Sequence, residues 1–293
     1  MRKYLLGSID PEMITIANLL NKLNLQYEYA KFEGNLCNPT NAYKADNNLV
    51  DYEEVVFIEC KHQCYKGKSV FIDHHNEGDY GYKFTYTNFL EGASIGQLYK
   101  MLLKEGFYSI AEEIPFKKNE NKFYYFHEGE WLININNKTF IVDKAIVKMA
   151  AIDHSIQDIY KDKCFGINKE EVFIDQLDQI RKKFFVKEKD FNKKKDFFIK
   201  ILENKKGLID LTHLDLGSGY TFEYILLREI ALFLNKSIAL KTKNLKEDLD
   251  KLMLIGLSEK QVESFLKEPV FDKYKISNSF GVPNRGYAGG FFD

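Results

Sequence analysis

The chain is poor in the features that would settle its class at a glance. Among its 293 residues there are only four cysteines, too few to suggest a disulfide scaffold. That scarcity fits a reducing compartment. Net charge is nearly absent: 42 Lys and Arg stand against 43 Asp and Glu. A balance of this kind gives no global attraction to nucleic acid or membrane, so any basic surface must be local. No apolar run approaches the roughly 20 residues that cross a bilayer. The opening "MRKYLLGSIDPEM" breaks at Asp10, too early for the apolar core of a signal peptide. Internal repeats and low-complexity tracts are missing. The expectation is a cytoplasmic protein without membrane contact, with nothing to set its oligomeric state.

Hydrophobic residues make up 45% of the chain, enough for a sizeable core in two domains of ordinary size. "KYLLGSI" reads as a strand, and Asp10 and Pro11 are suited to start a helix, "EMITIANLLNKLN". "LQYEYAKF" alternates like a strand. "EVVFIEC" and "SVFIDHH" are short continuous apolar runs, the pattern of strands covered on both faces. "GASIGQLYKMLLKEG" reads as a helix with a glycine stop, residues 121–141 as a hairpin, and "KAIVKMAAIDHSIQDIY" as a buried helix. The fold class expected is α/β: a mainly parallel sheet flanked by helices over residues 1–165, a helical linker over 166–206, and a smaller C-terminal α/β domain over 207–293. In that last part "GLIDLTHL" and "KSIALKTK" read as strands, and "LKEDLDKLMLIGL" and "SEKQVESFLKE" as helices.

Acidic residues collect at the strand ends. The first strand runs into Asp10-Pro11-Glu12, a later one into Glu59, and the next into Asp73-His74-His75. Ligands of open α/β sheets bind outside the carboxyl ends of the strands. Carboxylates meeting there repel one another unless a cation sits between them. Mixed carboxylate and imidazole ligands suit Mn²⁺ or a similar ion, with Mg²⁺ as a substitute. Each piece has a plainer reading as well. Asp10 and Glu12 would serve as an N-cap and a first-turn acid, Glu59 as a solvated strand end, Asp153 and His154 as a polar pair in a helix.

The run "FIDHHNEG" resembles the signature of the DHH phosphoesterase superfamily. The resemblance implies a parallel-sheet catalytic domain, a helical linker, a smaller substrate-binding domain, two Mn²⁺-like ions, and hydrolysis of phosphoester or phosphoanhydride bonds. Asp73-His74-His75 matches the superfamily's third motif by identity. Asp10 and Glu12 match its first motif with a glutamate in second place; Glu59 matches the second, and Asp153 the fourth. Gly92-Ala93-Ser94 fits the small residues that open the following helix. In the scheme so implied, Asp73 bridges two ions, His75 binds one, and His74 bonds nearby or faces the substrate phosphate. The metal ligands would be Asp10, Glu12, Glu59, Asp73, His75 and Asp153, with Asp73 and His74 in the chemistry. His154 and the glycine-rich turn of Arg285, Gly286, Gly289 and Gly290 would hold substrate, a phosphorylated small molecule or short nucleic acid. One departure is plain: Leu6 stands four residues before Asp10, where the superfamily has histidine.

Three further segments invite functional readings. Cys60, His62 and Cys64 offer zinc ligands, with Cys37 or Cys164 as a fourth, although the spacing is not that of paired zinc ligands. "DLGSGYTFE" opens a helix, where free N–H groups can bind an anion. Residues 181–206 are basic, with Phe184, Phe191 and Phe198 seven apart. That is either a face for single-stranded nucleic acid or an amphipathic core helix. The functional expectation is a metal-dependent phosphoesterase. The alternatives are a degenerate DHH-like binding protein, or a nucleic-acid-binding protein using residues 181–206.

Overall fold

In the computed structural model, which describes residues 1–115, 123–218, 221–244, 249–272, 274–282 and 286–292, the opening apolar run forms strand β1 (Arg2–Leu6). Helix α1 (Pro11–Lys22) follows, as its caps dictate: Asp10 accepts a hydrogen bond from the Met13 N–H at 2.8 Å, and Pro11 fills the first turn. The segment read as one strand divides. β2 (Tyr27–Tyr29) joins β1, while β3 (Lys31–Phe32) and β4 (Asn35–Leu36) make a small hairpin. Its turn residues Glu33 and Gly34 both have positive φ, the geometry that matches strand twist. β5 (Glu54–Ile58) and β6 (Lys68–Ile72) complete a four-stranded parallel sheet in the order β2-β1-β5-β6.

Both faces of β1 and β5 are covered. Leu5, Val55 and Phe57 pack on one side with Ala30, Cys37, Ala42, Ala45 and Leu49, while Tyr4, Leu6, Val56 and Ile58 are buried on the other. Each buried aliphatic side chain of this kind contributes about 1.5–3 kcal/mol. β6 departs from the two-sided burial its sequence suggests. It is the edge strand, and Phe71 is 52% exposed while stacking on Phe57.

Helices α2 (Phe89–Gly92) and α3 (Ser94–Lys104) come next; then an antiparallel sheet of β7 (Glu112–Ile114), β8 (Tyr124–His127), β9 (Glu130–Ile135) and β10 (Lys138–Ile141). Helix α4 (Lys144–Tyr160) carries Asp153 and His154 and is interrupted at Ser155 by non-helical angles. The chain divides into two compact units, Met1–Ile156 with Cys164–Ile167, and Gln157–Lys163 with Asn168–Asp293.

The second unit holds α5 (Lys169–Lys183), α6 (Glu188–Leu202), β11 (Leu208–Asp210), α7 (Phe222–Phe233), β12 (Ser237–Asn244), β13 (Leu249–Ile255), α8 (Glu259–Lys267), β14 (Val270–Phe271), β15 (Tyr274–Val282) and β16 (Tyr287–Phe292). Its sheet runs β11-β12-β13-β16-β15-β14, parallel only between β11 and β12. β13 is the part of "LKEDLDKLMLIGL" that was expected to be helical. Its apolar residues also fit a helix, but pairing with β12 on one side and β16 on the other satisfies its backbone as a strand. The phenylalanine stripe is core: Phe191 and Phe198 are buried, and Phe184 and Phe191 lie against Phe222. Among the described residues no helix is long and apolar enough to cross a membrane.

Candidate metal centre

Strand register brings the acidic residues together. Leu6, Ile58 and Ile72 lie side by side across β1, β5 and β6. The residues that follow them therefore leave the sheet at its carboxyl end. Gly7 N–H donates to the Ile58 carbonyl at 2.8 Å, and Glu59 N–H to the Ile72 carbonyl at 2.9 Å. Connections leave β1 toward β2 on one side and reach β5 on the other, so the ends of β1 and β5 mark the switch point of the sheet, where ligands of such sheets bind. Glu59 sits at the end of β5 with φ 51°, a left-handed conformation that side-chain-bearing residues hold at some cost.

Four side chains converge: Glu12, Glu59, His74 and Asp153 each offer a ligand atom, all within 4.8 Å of one another. Glu12, Glu59 and His74 are between 2% and 9% exposed. His74 Nε2 lies 3.1 Å from Asp153 Oδ2, while its Nδ1 lies 3.6 Å from Glu59 Oε1 and 3.3 Å from the Ser94 hydroxyl. Glu12 Oε1 accepts from the Ile95 N–H at 2.7 Å, at the positive end of α3. Its other oxygen, Oε2, and Glu59 Oε1 are buried with no hydrogen-bond donor. Burial, followed by the charges of Asp153 and Glu59, raises the Glu12 carboxyl well above its ordinary value. Two overlapping sets share His74: Glu59, His74 and His75, and His74, Asp153 and His154.

The donor set fits a divalent cation. Three carboxylates and an imidazole are hard and borderline ligands, and the two buried carboxylate oxygens without donors are satisfied by a cation or, in its absence, by a proton shared between Glu12 and Glu59. His154 is prepared by its surroundings: its Nε2 lies 2.9 Å from the Phe84 carbonyl, so the neutral ring carries its proton there and its lone pair on Nδ1.

Other candidates stand elsewhere. Asp10 caps α1, outside the converging sets but close enough to feel Glu59 and Asp153. Burial first, and those charges after the opposing Met13 hydrogen bond, push it up to about 6. Asp73 also lies outside the sets. Its Oδ2 accepts from the Tyr43 hydroxyl at 2.7 Å, and its Oδ1 from the His74 and His75 N–H groups at 2.7 and 3.1 Å. Burial pushes the Asp73 carboxyl up, but hydrogen bonds from His75 and Tyr43 outweigh it and hold the group below its ordinary value. The glycines of the C-terminal segment lie in the second unit. Gly289 and Gly290 are buried within β16, where a β-carbon would meet Leu252 O at 2.4 Å and Ile276 Cγ2 at 2.3 Å respectively. Gly286, at φ 61°, faces Gln157 and the Leu257 carbonyl. The chain's own packing requires all three glycines. Arg285 lies outside the described residues.

The Cys60-His62-Cys64 run is not brought together as a metal set among the described residues. His62 spends both ring nitrogens on the Asn47 carbonyl and the Cys64 N–H, and the Cys60 thiol points at the Leu5 carbonyl. A cavity of about 510 Å³ beside it, between residues 45–52 and 62–67, contains none of the converging residues. The sequence reading missed Tyr43, Ser94's contact with His74, and Gln97. The Gln97 amide Nε2 donates to the carbonyls of Asp73, Tyr80 and Gly92, pinning the loop after β6. A lone Tyr or Gln carries no motif, so nothing in the chain marks them.

No protein-family model matches this chain, and no curated protein matches it. Among solved structures it is similar to PggH, a pGpG-specific phosphodiesterase from Vibrio cholerae, over 100% of this chain and 93% of that one, at 10% identity and a TM-score of 0.36.

Proposed function

We propose that this protein is a metal-dependent phosphoesterase acting on a small nucleotide or the end of a short oligonucleotide. The supporting observation is the buried convergence of Glu12, Glu59, His74 and Asp153, with two carboxylate oxygens lacking any donor. The resemblance of "FIDHHNEG" to the DHH phosphoesterases supports the reaction class and the nucleotide substrate. Mn²⁺ is the ion that this donor set suits best, with Mg²⁺ as a substitute.

Glu12, Glu59, His74 and Asp153 would hold the ion, so His74 takes the ligand duty that the motif comparison gives to Asp73. When bound, such a cation supplies Lewis acidity toward phosphoryl oxygens and a nucleophilic water near neutral pH. The protein's own residues do the rest. Ile95 N–H at the α3 terminus orients Glu12 through Oε1, and its bond favours the charged form against the larger effects of burial and the neighbouring carboxylates. Ser94 fixes the His74 ring from Nδ1. His75, 39% exposed and stacked on His74, faces outward to meet a phosphate.

The test is hydrolysis of a panel of bis-phosphorylated nucleosides, cyclic and linear dinucleotides and short single strands, with Mn²⁺, with EDTA, and with His74→Ala. Turnover that needs both the metal and His74 is the expected result. A second reading rests on Leu6, a fully buried apolar residue at the place of the superfamily's histidine: a metal-binding protein without turnover. Tight Mn²⁺ binding with no hydrolysis across the panel selects it.

A further inference from the structure

Asp73 belongs to a chain of hydrogen bonds that links Tyr43 to His75. Tyr43 sits on the short 3-10 turn Ala42–Lys44, thirty residues earlier, and its hydroxyl donates to Asp73 Oδ2 at 2.7 Å. An ionised carboxylate accepts only, so the phenol must be the donor. The other oxygen, Oδ1, gathers the His74 and His75 N–H groups and lies 3.0 Å from His75 Nδ1. His75 therefore carries a proton on Nδ1, and Nε2 is the nitrogen turned away from Asp73. The ring is stacked on buried His74, with centroids 4.2 Å apart and planes 25° apart.

The hydroxyl of Tyr43 is not needed to hold its own turn. Lys44 N–H donates to the Asn41 carbonyl at 2.9 Å, Ala45 N–H to the Lys61 carbonyl at 3.0 Å, and Lys61 N–H to the Ala42 carbonyl at 3.2 Å. What the hydroxyl fixes is the plane of the Asp73 carboxylate. That plane sets the direction in which His75 donates.

We infer that Tyr43 is a positioning residue: through Asp73 it holds the His75 imidazole in one orientation and tautomer over His74, so that Nε2 contacts the phosphoryl group of the substrate. The inference rests on the phosphoesterase reading above for the identity of the ligand. The orientation itself does not depend on that reading.

The test uses the full chain with Tyr43→Phe, Asp73→Asn and the double variant. Nitrogen-15 NMR of the metal-free protein reports the His75 tautomer. Electron paramagnetic resonance reports Mn²⁺ affinity, and calorimetry reports binding of inorganic phosphate to the Mn²⁺-loaded protein. In Tyr43→Phe, the single Nδ1–H tautomer of His75 should give way to a mixture. Phosphate affinity should fall about tenfold, the loss expected for one hydrogen bond to a charged group. Mn²⁺ affinity should change less than twofold. Because Tyr43 acts through Asp73, adding Tyr43→Phe to Asp73→Asn should cost less than a further threefold. An unchanged tautomer and phosphate affinity in Tyr43→Phe, or additive losses in the double variant, would overturn the inference. If the wild type binds no Mn²⁺, the phosphoesterase reading fails, while the tautomer still decides whether Tyr43 positions His75.

Discussion

Gly7 and Glu59 meet backbone to backbone, so closely that a β-carbon on residue 7 would lie 2.6 Å from the Glu59 carbonyl oxygen. The contact joins the first residue beyond β1 to the first residue beyond β5, and it leaves room only for hydrogen. Glu59 is already in a left-handed conformation there, and it supplies one of the four converging ligand atoms.

Gly7→Ala should therefore damage the proposed metal centre beyond its cost to the fold. The expected stability loss is about 1–3 kcal/mol, the usual scale of overpacking. Because any relief must move the Glu59 backbone, Mn²⁺ affinity should fall at least tenfold. Denaturant unfolding with EDTA and calorimetric titration with Mn²⁺ separate the two effects.

Glu12→Gln should weaken Mn²⁺ binding by at least tenfold without destabilising the metal-free protein. The amide keeps an oxygen for the Ile95 N–H. It also removes a charge that burial, Asp153 and Glu59 all disfavour. Thermal melts with EDTA should show a midpoint no lower than that of the parent. A clear drop would mean that the glutamate is structural.

His74→Ala and Asp73→Asn should part company in the same titration. His74 lies in all three converging sets, and Asp73 in none. Loss of Mn²⁺ binding is expected for the first, and retention within a few-fold for the second. The opposite order would return Asp73 to the ligand set.

The metal-free protein should lose stability as pH rises from about 4 to about 6. Asp10 has an ordinary value of 3.8 and is pushed up to about 6 by burial and by the nearby Glu59 and Asp153 charges. Between those values the folded state binds more protons than the unfolded one, so stability falls with rising pH. Glu12 acts in the same direction. Bound Mn²⁺ should flatten or reverse the trend. Unfolding free energies at a series of pH values, with EDTA and with Mn²⁺, check the sign.

In the second unit, Tyr160→Phe should cost about 1–3 kcal/mol, because the Tyr160 hydroxyl donates to the buried Glu229 carboxylate. Burial raises the Glu229 carboxyl despite that bond. Glu229→Gln, which keeps an acceptor, should be neutral or stabilising at pH 8. Chemical denaturation of both variants reads the difference.

The local elements were legible because they depend on neighbours in the chain. Asp10 and Pro11 specify the start of α1, Ser258 with Gln261 the start of α8, and the apolar runs before Glu59 and Asp73 the strands β5 and β6. β13 was not legible, since its apolar pattern suits two periods and only the strands on either side choose between them. Gly289 and Gly290 invited a ligand-binding turn, but their lack of a side chain is taken up by Leu252, Phe280, Ile276 and Ser277. The seven-residue phenylalanine spacing was compatible with a nucleic-acid face until Phe222 came to lie against it.

By itself the sequence determined that acids and imidazoles would stand at the ends of parallel strands, because strand length and helix caps are set by adjacent residues. Only the tertiary structure decided which of them share a centre. A side chain beyond a strand end takes its direction from partners remote in sequence. For Asp73 that partner is Tyr43, for His74 it is Ser94, and for Glu12 it is Ile95. Those three contacts fix the orientation of the Asp73, His74 and Glu12 side chains.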